Sequence, residues 1–335
     1  LGNTQQIAGI LNLDDEDSIV ASLPIFHAFG ITVTTFLPLI EGVKCVAHPD
    51  PTDGLGLGTM ISKYKATVMC GTSTFYRLYT KNSKVHPLMF ESIKLAVAGA
   101  EKLREDVRYA FKKKFGKEIY EGYGTTETTP VASCNLPNIL APDCTEQIGT
   151  KIGSVGLPIP GTKVMITHPE TFEELDNGQE GMILIAGIQV MKGYLKDPEK
   201  TAEVLKVIKG HTYYVTGDKG KVDEDGFLTI VDRYSRFAKL GGEMISLGAI
   251  EEKISSILKK NESENEVDFI ITSLEDEKKG EKIVLLLSGE DEKFVKGLKE
   301  QMIQTFENKL MIPNNIFIVK DIPKLGTGKK DFKGA

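Results

Sequence analysis

Residues 92–130, SIKLAVAGAEKLREDVRYAFKKKFGKEIYEGYGTTETTP, hold two short apolar runs on either side of a segment with helical periodicity. Apolar side chains recur in that segment every three or four residues and share one helical face: Leu103, Val107, Ala110, Phe111 and Phe115. Gly116 follows them and is suited to end the helix. A strand, a helix and a strand joined by short loops predict a right-handed βαβ unit and a mainly parallel sheet.

Both strands of this unit end in polar, glycine-containing sequence, AGAE and EGYGTTETTP. Ligands of parallel sheets bind beyond the carboxyl ends of the strands, so these segments are candidate binding loops. Gly122 and Gly124 let the backbone approach a ligand, and the Tyr123 ring offers a flat face to a base. Threonine hydroxyls and the Glu127 carboxylate suit phosphate oxygens bridged by Mg²⁺. A threonine-rich turn with a solvated Glu127 explains the same residues equally well.

The pattern of elements changes twice along the chain. Residues 1–146 alternate strand and helix patterns, as expected of an α/β subdomain. Residues 147–232 contain successive strand patterns with turn signals, which predict a β-rich subdomain that completes a partial large domain over residues 1–232. Residues 233–335 combine helical and strand patterns, which predict a small α+β C-terminal domain.

Composition and charge are those of an ordinary globular chain. The 335 residues are 41% apolar and 26% charged, and the net charge is −6, so nothing favours binding to nucleic acid. The four cysteines lie far apart without a C-x-x-C pair, which argues against a zinc site or a disulfide framework and favours a reducing compartment. The first residue is Leu, so we expect this sequence to be a piece of a longer polypeptide.

An uncharged run of 23 residues, 18–40, contains LPIFHAFG and is long enough to cross a bilayer. Pro24, Gly30 and Pro38 interrupt the run, which favours buried globular structure over a transmembrane segment. His27 is the only readily ionisable group in it. That histidine is interpreted either as a core residue or as part of a site.

Three further segments are weak signals by themselves. DGLGLGT, residues 53–59, has the spacing G-x-G-x-G and is interpreted as a plain loop. Asp218 in YYVTGDKG follows a glycine at a strand end, where it suits the two hydroxyls of a ribose or belongs to a β-turn. Lys329 in IPKLGTGKKDF lies behind two glycines, where it suits either a cleft or a solvated tail.

Taken in order, seven segments resemble the motifs of the adenylate-forming superfamily of acyl-CoA synthetases, luciferases and adenylation domains: LPIFHAFG, VAGAEKL, EGYGTTETTP, GMILIAGIQVMKGYL, YVTGD, DRYSRFAKLGGEMISLGAIEE and PKLGTGKKDF. The last two segments contain the shorter stretches RFAKLGGEMISL and LGTGKKDF. These two stretches look most like the acyl-ACP synthetase part of bifunctional acyl-ACP synthetase / 2-acylglycerophosphoethanolamine acyltransferase. The family's Ser/Thr/Gly-rich phosphate loop has no counterpart in residues 1–22, so we expect the first subdomain to lie outside this sequence.

The resemblance implies an AMP-forming acid–thiol ligase that uses ATP and Mg²⁺. Such an enzyme joins a fatty acid to AMP and then passes the acyl group to the pantetheine thiol of acyl carrier protein or coenzyme A. The residues that match the family's nucleotide-binding positions are Gly99, Ala100, Glu101, Gly122, Tyr123, Gly124, Thr125, Thr126, Asp218 and Arg233. Glu127 matches the metal ligand.

The resemblance also implies catalytic residues and a mobile C-terminal domain. Lys329 matches the catalytic lysine of the first half-reaction, and Lys239 is presented to the thiol channel in the second. Asp232 and Ser235 mark the hinge about which the C-terminal domain rotates, although Asp or Lys is usual at position 235. LPIFHAFG would supply an apolar wall for the acyl chain, with His27 as a gate between carboxylate and thiol.

The expected partners are therefore a fatty acid and acyl carrier protein or coenzyme A, without nucleic acid and without a transmembrane segment in this chain. The expected location is cytoplasmic, and any membrane association would come from segments outside this chain. Two alternatives stay open at this point. One is a carboxylate-adenylating ligase with another acceptor, and the other is a non-catalytic nucleotide- or acyl-binding module. The sequence does not specify the acyl chain length or the acceptor.

Overall fold

The computed structural model describes residues 1–240, 243–260, 267–276, 280–289, 292–323, 331–332 and 334. The chain forms two compact units, Leu1–Val231 and Asp232–Ala335.

The larger unit contains both helices and strands. Its helices are α1 (Gly2–Leu11), α2 (Ala28–Ile31), α3 (Leu37–Glu41), α4 (Gly54–Tyr64), α5 (Ser73–Lys81), α6 (Glu105–Phe115) and α7 (Pro198–Val204). Its strands are β1 (Ser18–Ala21), β2 (Lys44–Ala47), β3 (Val68–Gly71), β4 (Leu95–Ala98), β5 (Ile119–Gly124), β6 (Val131–Cys134), β7 (Ile139–Leu140), β8 (Glu146–Gln147), β9 (Leu157–Pro158), β10 (Thr162–Thr167), β11 (Gly181–Gly187), β12 (Leu205–Ile208), β13 (His211–Val222) and β14 (Leu228–Arg233), of which the last ends two residues inside the smaller unit.

The central sheet of this unit has seven strands in the order β2-β1-β3-β4-β5-β6-β9. The five strands from β2 to β5 are parallel to their neighbours, whereas β6 and β9 pair antiparallel. A second sheet, β10-β11-β13-β12 with β14 beside β13, forms the β-rich part. The predicted α/β class, with a mainly parallel sheet and a β-rich part, is confirmed.

Two apolar clusters on opposite faces of the parallel sheet bury its strands β3 and β4 from both sides. Every residue of β3 and β4 is buried, and alternate residues of β4 belong to the two clusters. On one face Phe111 and Phe115 of α6 pack with Tyr76 and Phe90, with ring centroids 4.4 to 6.1 Å apart. The periodicity of residues 103–115 therefore predicted the buried face of α6, and Gly116 ends the helix with φ of +67°.

The uncharged run 18–40 begins as β1 and continues as a helix from Ala28 to Glu41 that contains one π-helical turn. Pro38 cannot donate the hydrogen bond that the Thr34 carbonyl would otherwise accept, and the Leu37 N–H instead donates to the Thr32 carbonyl five residues earlier. None of the helices in the described parts of the chain combines the length and apolar composition that a bilayer crossing requires.

The interpretation of DGLGLGT as a plain loop is wrong, because its glycines begin helix α4. The Asp53 carboxylate caps this helix by accepting the Gly56 N–H at 2.9 Å. A Cβ atom at position 56 would lie 2.1 Å from Asp53 Oδ2 and 2.6 Å from His48 Nε2, so only glycine fits this close approach. Leu57 and Ile61 then bury the helix in the core.

Helix α1 is attached to the strands through buried amide side chains. Asn3 pairs with the backbone of Val131 in both directions, at 2.8 and 3.0 Å. Gln6 donates to the Pro160 carbonyl at 2.7 Å. Gln6 also donates to the side-chain oxygen of Gln189 at 3.4 Å. Gln189 in turn donates to the Thr162 hydroxyl at 2.6 Å. Because each amide is buried, these bonds fix the position of α1 between the two sheets.

The smaller unit is an α+β fold around a five-stranded sheet. Its elements are β15 (Phe237–Leu240), β16 (Glu243–Ser246), α8 (Leu247–Lys260), β17 (Phe269–Asp276), β18 (Gly280–Ser288), α9 (Glu292–Thr305) and β19 (Asn315–Val319). Ile250, Ile254 and Ile257 of α8 are buried in one core with strand residues. Ser246 caps α8 by accepting the Ala249 N–H at 3.0 Å.

Lys114 of α6 caps the C-terminus of α5. Its ammonium group donates to the carbonyls of Tyr79, Thr80 and Asn82 at 2.7 to 3.0 Å. These carbonyls lack partners within the helix, because the last turn of any helix leaves its acceptors unsatisfied. One cation therefore connects two neighbouring helices of the core.

We expect Lys114→Met to lower the free energy of unfolding by about 1–3 kcal/mol, because three half-buried acceptors lose their donor while the apolar stem is kept. Urea denaturation followed by circular dichroism measures this change. Lys113→Met, at the exposed neighbouring position, is the matched control and should have little effect. Equal stabilities for the two variants would contradict the capping role of Lys114.

Candidate active site

The carboxyl ends of β4 and β5 lie side by side. Parallel pairing aligns Val97 with Tyr120 and Ala98 with Glu121. The next residues of the two strands are Gly99 and Gly122, so the segments AGAE and EGYGTTE meet at one edge of the sheet. This is the juxtaposition expected for a ligand site in a parallel sheet.

The AGAE segment is rigidly held. Ala100 has φ of +68°, a conformation that residues with a side chain seldom adopt. The Glu101 carboxylate accepts the Thr74 N–H at 2.5 Å and so caps the first turn of α5. Gly99 is buried, and a Cβ atom there would lie 3.1 Å from the Phe29 ring. The Glu101 carboxylate is therefore engaged with α5, and Ala100 is the exposed residue of the segment.

His27 lies near this edge, at the start of the helix that follows LPIFHAFG. It is half-buried, and its Nδ1 atom accepts the Phe29 N–H at 3.2 Å, which caps α2. The neutral imidazole therefore carries its proton on Nε2. Phe29 packs against Gly99, whereas Phe26 is 75% exposed. The proposed role of His27 as a gate stays a prediction.

The turn after β5 is fixed by its own threonines. Thr128 is fully buried, accepts the Thr125 N–H at 3.0 Å and donates to the Pro130 carbonyl at 2.6 Å. Thr126 is exposed, and Thr125 is half-buried. A Cβ atom at Gly124 would lie 1.7 Å from the Pro130 carbonyl oxygen, so the chain can fold back here only at a glycine.

Tyr123 of β5 meets Asp218 of β13. The Tyr123 hydroxyl donates to Asp218 Oδ2 at 2.5 Å, and Asp218 is only 3% exposed. The Asp218 N–H donates to the Thr216 hydroxyl at 3.0 Å, which fixes the backbone before the carboxylate. The sequence assigned Tyr123 to a base and Asp218 to a ribose. Their contact brings together the two residues that the sequence assigned to a base and a ribose, and those roles stay predictions.

Glu127 stands in a single 3-10 turn, Thr126–Thr128, and its carboxylate is held by Tyr194. The Tyr194 hydroxyl donates to Glu127 Oε1 at 2.7 Å. Burial and this carboxylate raise the pKa of Tyr194 to about 12, so the hydroxyl remains a donor at neutral pH. The sequence analysis missed Tyr194, although it is the second-last residue of the motif GMILIAGIQVMKGYL.

The donor set around Glu127 fits Mg²⁺ better than a transition metal. Among the residues that the structure describes, no three His, Cys, Asp or Glu side chains cluster in a way that could hold an ion. Mg²⁺ at nucleotide sites is usually held by one or two carboxylates together with phosphate oxygens. A single carboxylate beside candidate phosphate-binding threonines meets that requirement.

Comparison with known proteins agrees with this geometry. The AMP-binding enzyme family matches residues 2–195, which is more than half of the chain. The chain belongs to this family. Its membership of the adenylate-forming superfamily, predicted from seven motifs, is therefore confirmed, and the narrower resemblance to acyl-ACP synthetases stays a prediction.

Two relatives are named long-chain-fatty-acid–CoA ligase. The protein from Yersinia pestis is 31% identical, over 74% of this chain and 42% of its own length. The protein from Bacillus subtilis is 29% identical, over 98% of this chain and 56% of its own length. The crystal structure of an ATP-bound RpMatB-BxBclM chimera is 25% identical with a TM-score of 0.81, over 98% of this chain and 61% of that chain. The chain thus spans about half the length of the curated relatives it matches.

A buried ion pair fixes the two candidate binding segments to each other. Glu121, 7% exposed, accepts the Leu103 N–H at 2.9 Å and Arg108 Nη2 at 3.3 Å. Arg108 also donates to the Ile119 carbonyl at 2.6 Å. Leu103 follows AGAE and Glu121 begins EGYG, so this carboxylate links both segments. The sequence analysis missed it because a carboxylate in a buried strand gives no periodic signal.

The remaining predicted residues belong to the smaller unit. The Asp232 carboxylate accepts the Ser246 hydroxyl, the Gly248 N–H at 3.0 Å and the Arg233 N–H at 2.8 Å. Ser235 is exposed in the 3-10 turn Tyr234–Arg236, and Arg233 and Lys239 are exposed as well. Lys329 and the glycines at 241–242 lie outside the described residues. The hinge, ribose and thiol-channel roles of these residues stay predictions.

We expect Glu121→Gln to change how stability depends on pH. Burial raises the pKa of Glu121 above its ordinary value of 4.5, more than Leu103 and Arg108 lower it. The contribution of Glu121 to stability is therefore fully present below pH 4.5 and is lost as pH rises through its folded-state pKa. The free energy of unfolding of the variant minus that of the wild type should rise between about pH 4 and about pH 8.

Urea denaturation across this pH range measures that difference. Glu118→Gln, on an exposed side chain just before β5, is the matched control and should show a smaller drift. A difference that falls with rising pH in Glu121→Gln would show that the ion pair with Arg108 outweighs the cost of burial.

Proposed function

We propose that the protein to which this chain belongs activates a fatty acid with ATP and transfers the acyl group to a pantetheine thiol. The observation that carries the proposal is the meeting of AGAE, EGYGTTE and the Tyr123–Asp218 pair at one sheet edge. The family membership and the names of the two ligase relatives support it. The reaction class is an AMP-forming acid–thiol ligase.

The first half-reaction forms acyl-AMP. A carboxylate oxygen of the fatty acid attacks the α-phosphorus of ATP, and the bond to the bridging oxygen of the β-phosphate breaks to release pyrophosphate. The Tyr123 ring and the buried Asp218 carboxylate would hold the base and ribose, and Thr125 and Thr126 would donate to phosphate oxygens. Glu127 would hold Mg²⁺, which supplies positive charge to the phosphates when bound. Lys329 would stabilise the charge that develops on the α-phosphate.

The second half-reaction forms the thioester. The thiol sulfur attacks the acyl carbonyl carbon, the bond between that carbon and the AMP oxygen breaks, and the thiol proton leaves to solvent. Lys239 and His27 are the residues of this chain proposed to face the thiol. Rotation of the smaller unit about Asp232 and Ser235 would exchange Lys329 for Lys239 between the two half-reactions. The acceptor is proposed to be coenzyme A or acyl carrier protein, and the motif RFAKLGGEMISL favours the carrier protein.

We expect the full-length protein to release pyrophosphate only when both ATP and a fatty acid are present. A screen of fatty acids of increasing length, with coenzyme A or acyl carrier protein in separate arms, identifies the acyl chain and the acceptor. Lys329→Ala should slow pyrophosphate release by about 100-fold or more, since removing one group that stabilises transition-state charge typically costs this much. Thioester formation from supplied acyl-AMP should be largely unchanged.

Lys320→Ala, at an exposed position of the same unit, is the matched control and should keep normal turnover. Release of pyrophosphate with other carboxylic acids, but with no fatty acid, would contradict the proposal that the substrate is a fatty acid. Nucleotide binding without pyrophosphate release for any acid would instead indicate a binding module. Normal pyrophosphate release by Lys329→Ala would remove the role given to that lysine.

We expect Asp218→Asn to raise the KM for ATP by about 10- to 100-fold, because hydrogen bonds to a charged group contribute about 1.5–3 kcal/mol. Initial rates of pyrophosphate release at varied ATP measure this change. Asp176→Asn, on an exposed turn of the β-rich part, is the matched control. A KM within twofold of the wild type would argue against contact between Asp218 and the nucleotide.

A further inference from the structure

The Tyr194 hydroxyl reaches Glu127 from the β-rich part and donates to Oε1 at 2.7 Å. Tyr214 of β13 lies nearby, and burial and the charge of Glu127 raise the pKa of its hydroxyl. The carboxylate is half-buried and stands on a short turn, not in a regular strand or helix. The sequence motifs assign a function to Glu127 and none to either tyrosine.

Tyr194 is itself fixed by the residues that follow it. Its N–H donates to the Thr201 hydroxyl at 2.9 Å, and that hydroxyl donates to the Asp197 carbonyl at 2.7 Å. Asp197 caps α7 by accepting the Lys200 N–H at 2.9 Å. Gly193 has φ of +150°, and a Cβ atom there would lie 2.7 Å from Thr201. The backbone of Tyr194 is therefore fixed by its contacts with the start of α7, and this fixes the direction from which the phenol reaches Glu127.

The Glu127 turn is attached to this segment without help from the phenol. The Met191 N–H donates to the Glu127 carbonyl at 2.8 Å, and the Thr129 hydroxyl donates to the Gln189 carbonyl at 2.9 Å. These contacts involve backbone atoms and keep the turn in place. The Tyr194 hydroxyl adds a bond to the carboxylate itself, which a purely structural attachment of the turn does not need.

A donor on one carboxylate oxygen leaves the other oxygen available. An ionised carboxylate has two oxygens and about four lone-pair positions, so Glu127 can accept a phenol and still bind a cation. Partners of this kind fix the orientation of a metal ligand, and their loss typically weakens metal affinity about 10- to 100-fold. The Tyr194 hydrogen bond therefore preorganises the Glu127 carboxylate for cation binding.

We propose that Tyr194 is a positioning residue that orients the Glu127 carboxylate for the Mg²⁺ that accompanies ATP. This role rests on the proposed function, because it assumes that Glu127 meets Mg²⁺ beside the ATP phosphates. Tyr194 does not touch the nucleotide in this role. It acts only through the direction in which it holds the carboxylate.

The test compares metal binding with nucleotide binding in the full-length protein. Electron paramagnetic resonance of Mn²⁺, titrated in the presence of the non-hydrolysable analogue AMPCPP, gives the metal affinity without turnover. We expect Tyr194→Phe to weaken Mn²⁺ binding about 10- to 100-fold while the affinity for AMP without metal changes less than twofold. At saturating ATP, the Mg²⁺ concentration for half-maximal pyrophosphate release should rise by a similar factor while the maximal rate is kept.

Tyr109→Phe, on a side chain that is 68% exposed, is the matched control. Equal losses of Mn²⁺ and AMP affinity in Tyr194→Phe would overturn the positioning role, since they indicate a general collapse of the turn. Unchanged or tighter Mn²⁺ binding would overturn it as well, because the phenol would then be irrelevant or would compete with the metal. Absence of metal-dependent AMPCPP binding in the wild type would overturn the proposed function and this role together.

Discussion

Parallel pairing of β4 with β5 is the constraint on which the candidate site depends. Ala98, the last residue of β4, is aligned with Glu121, so the loop that follows β4 lies beside the last residues of β5 at one edge of the sheet. A slip of one residue would turn the side chains of β5 to the opposite face and expose the Glu121 carboxylate to apolar surroundings. Its bonds to Leu103 and Arg108 hold this register, because a buried charge without them would cost several kcal/mol.

The β-rich part completes the candidate site through side chains that form hydrogen bonds with β5 and with the turn that follows it. Asp218 accepts the Tyr123 hydroxyl, and the Tyr194 phenol donates to Glu127. Asn3 of α1 pairs with Val131 just beyond the same turn. The turn is thus supported from the parallel sheet on one side and from the β-rich part on the other. Neither sheet alone would define the directions of its carboxylate and ring.

Sequence reasoning succeeded where structure is local and failed where partners are distant. The apolar repeat from Leu103 to Phe115 predicted α6, because one face of a single helix sets that spacing. Tyr194 was missed since it lies 67 residues from Glu127, and no local pattern reveals such a partner. The glycines of α4 made its sequence look like a loop. The helix is stabilised by the Asp53 cap and by burial of Leu57 and Ile61. The motifs indicated which residues could bind a nucleotide, and their roles remain predictions.

The hydrogen bonds that Asp232 accepts at the start of α8 indicate where the chain can be divided. Asp232 is the first residue of the smaller unit, yet its carboxylate accepts three donors from residues 233, 246 and 248, all within that unit. A Cβ atom at Gly248 would lie 2.5 Å from this carboxylate, so the two positions are matched to each other. A recombinant C-terminal unit that starts at Arg233 would therefore lack the carboxylate that accepts the Gly248 N–H in the first turn of α8. An excision for domain exchange among related enzymes belongs on the N-terminal side of Asp232.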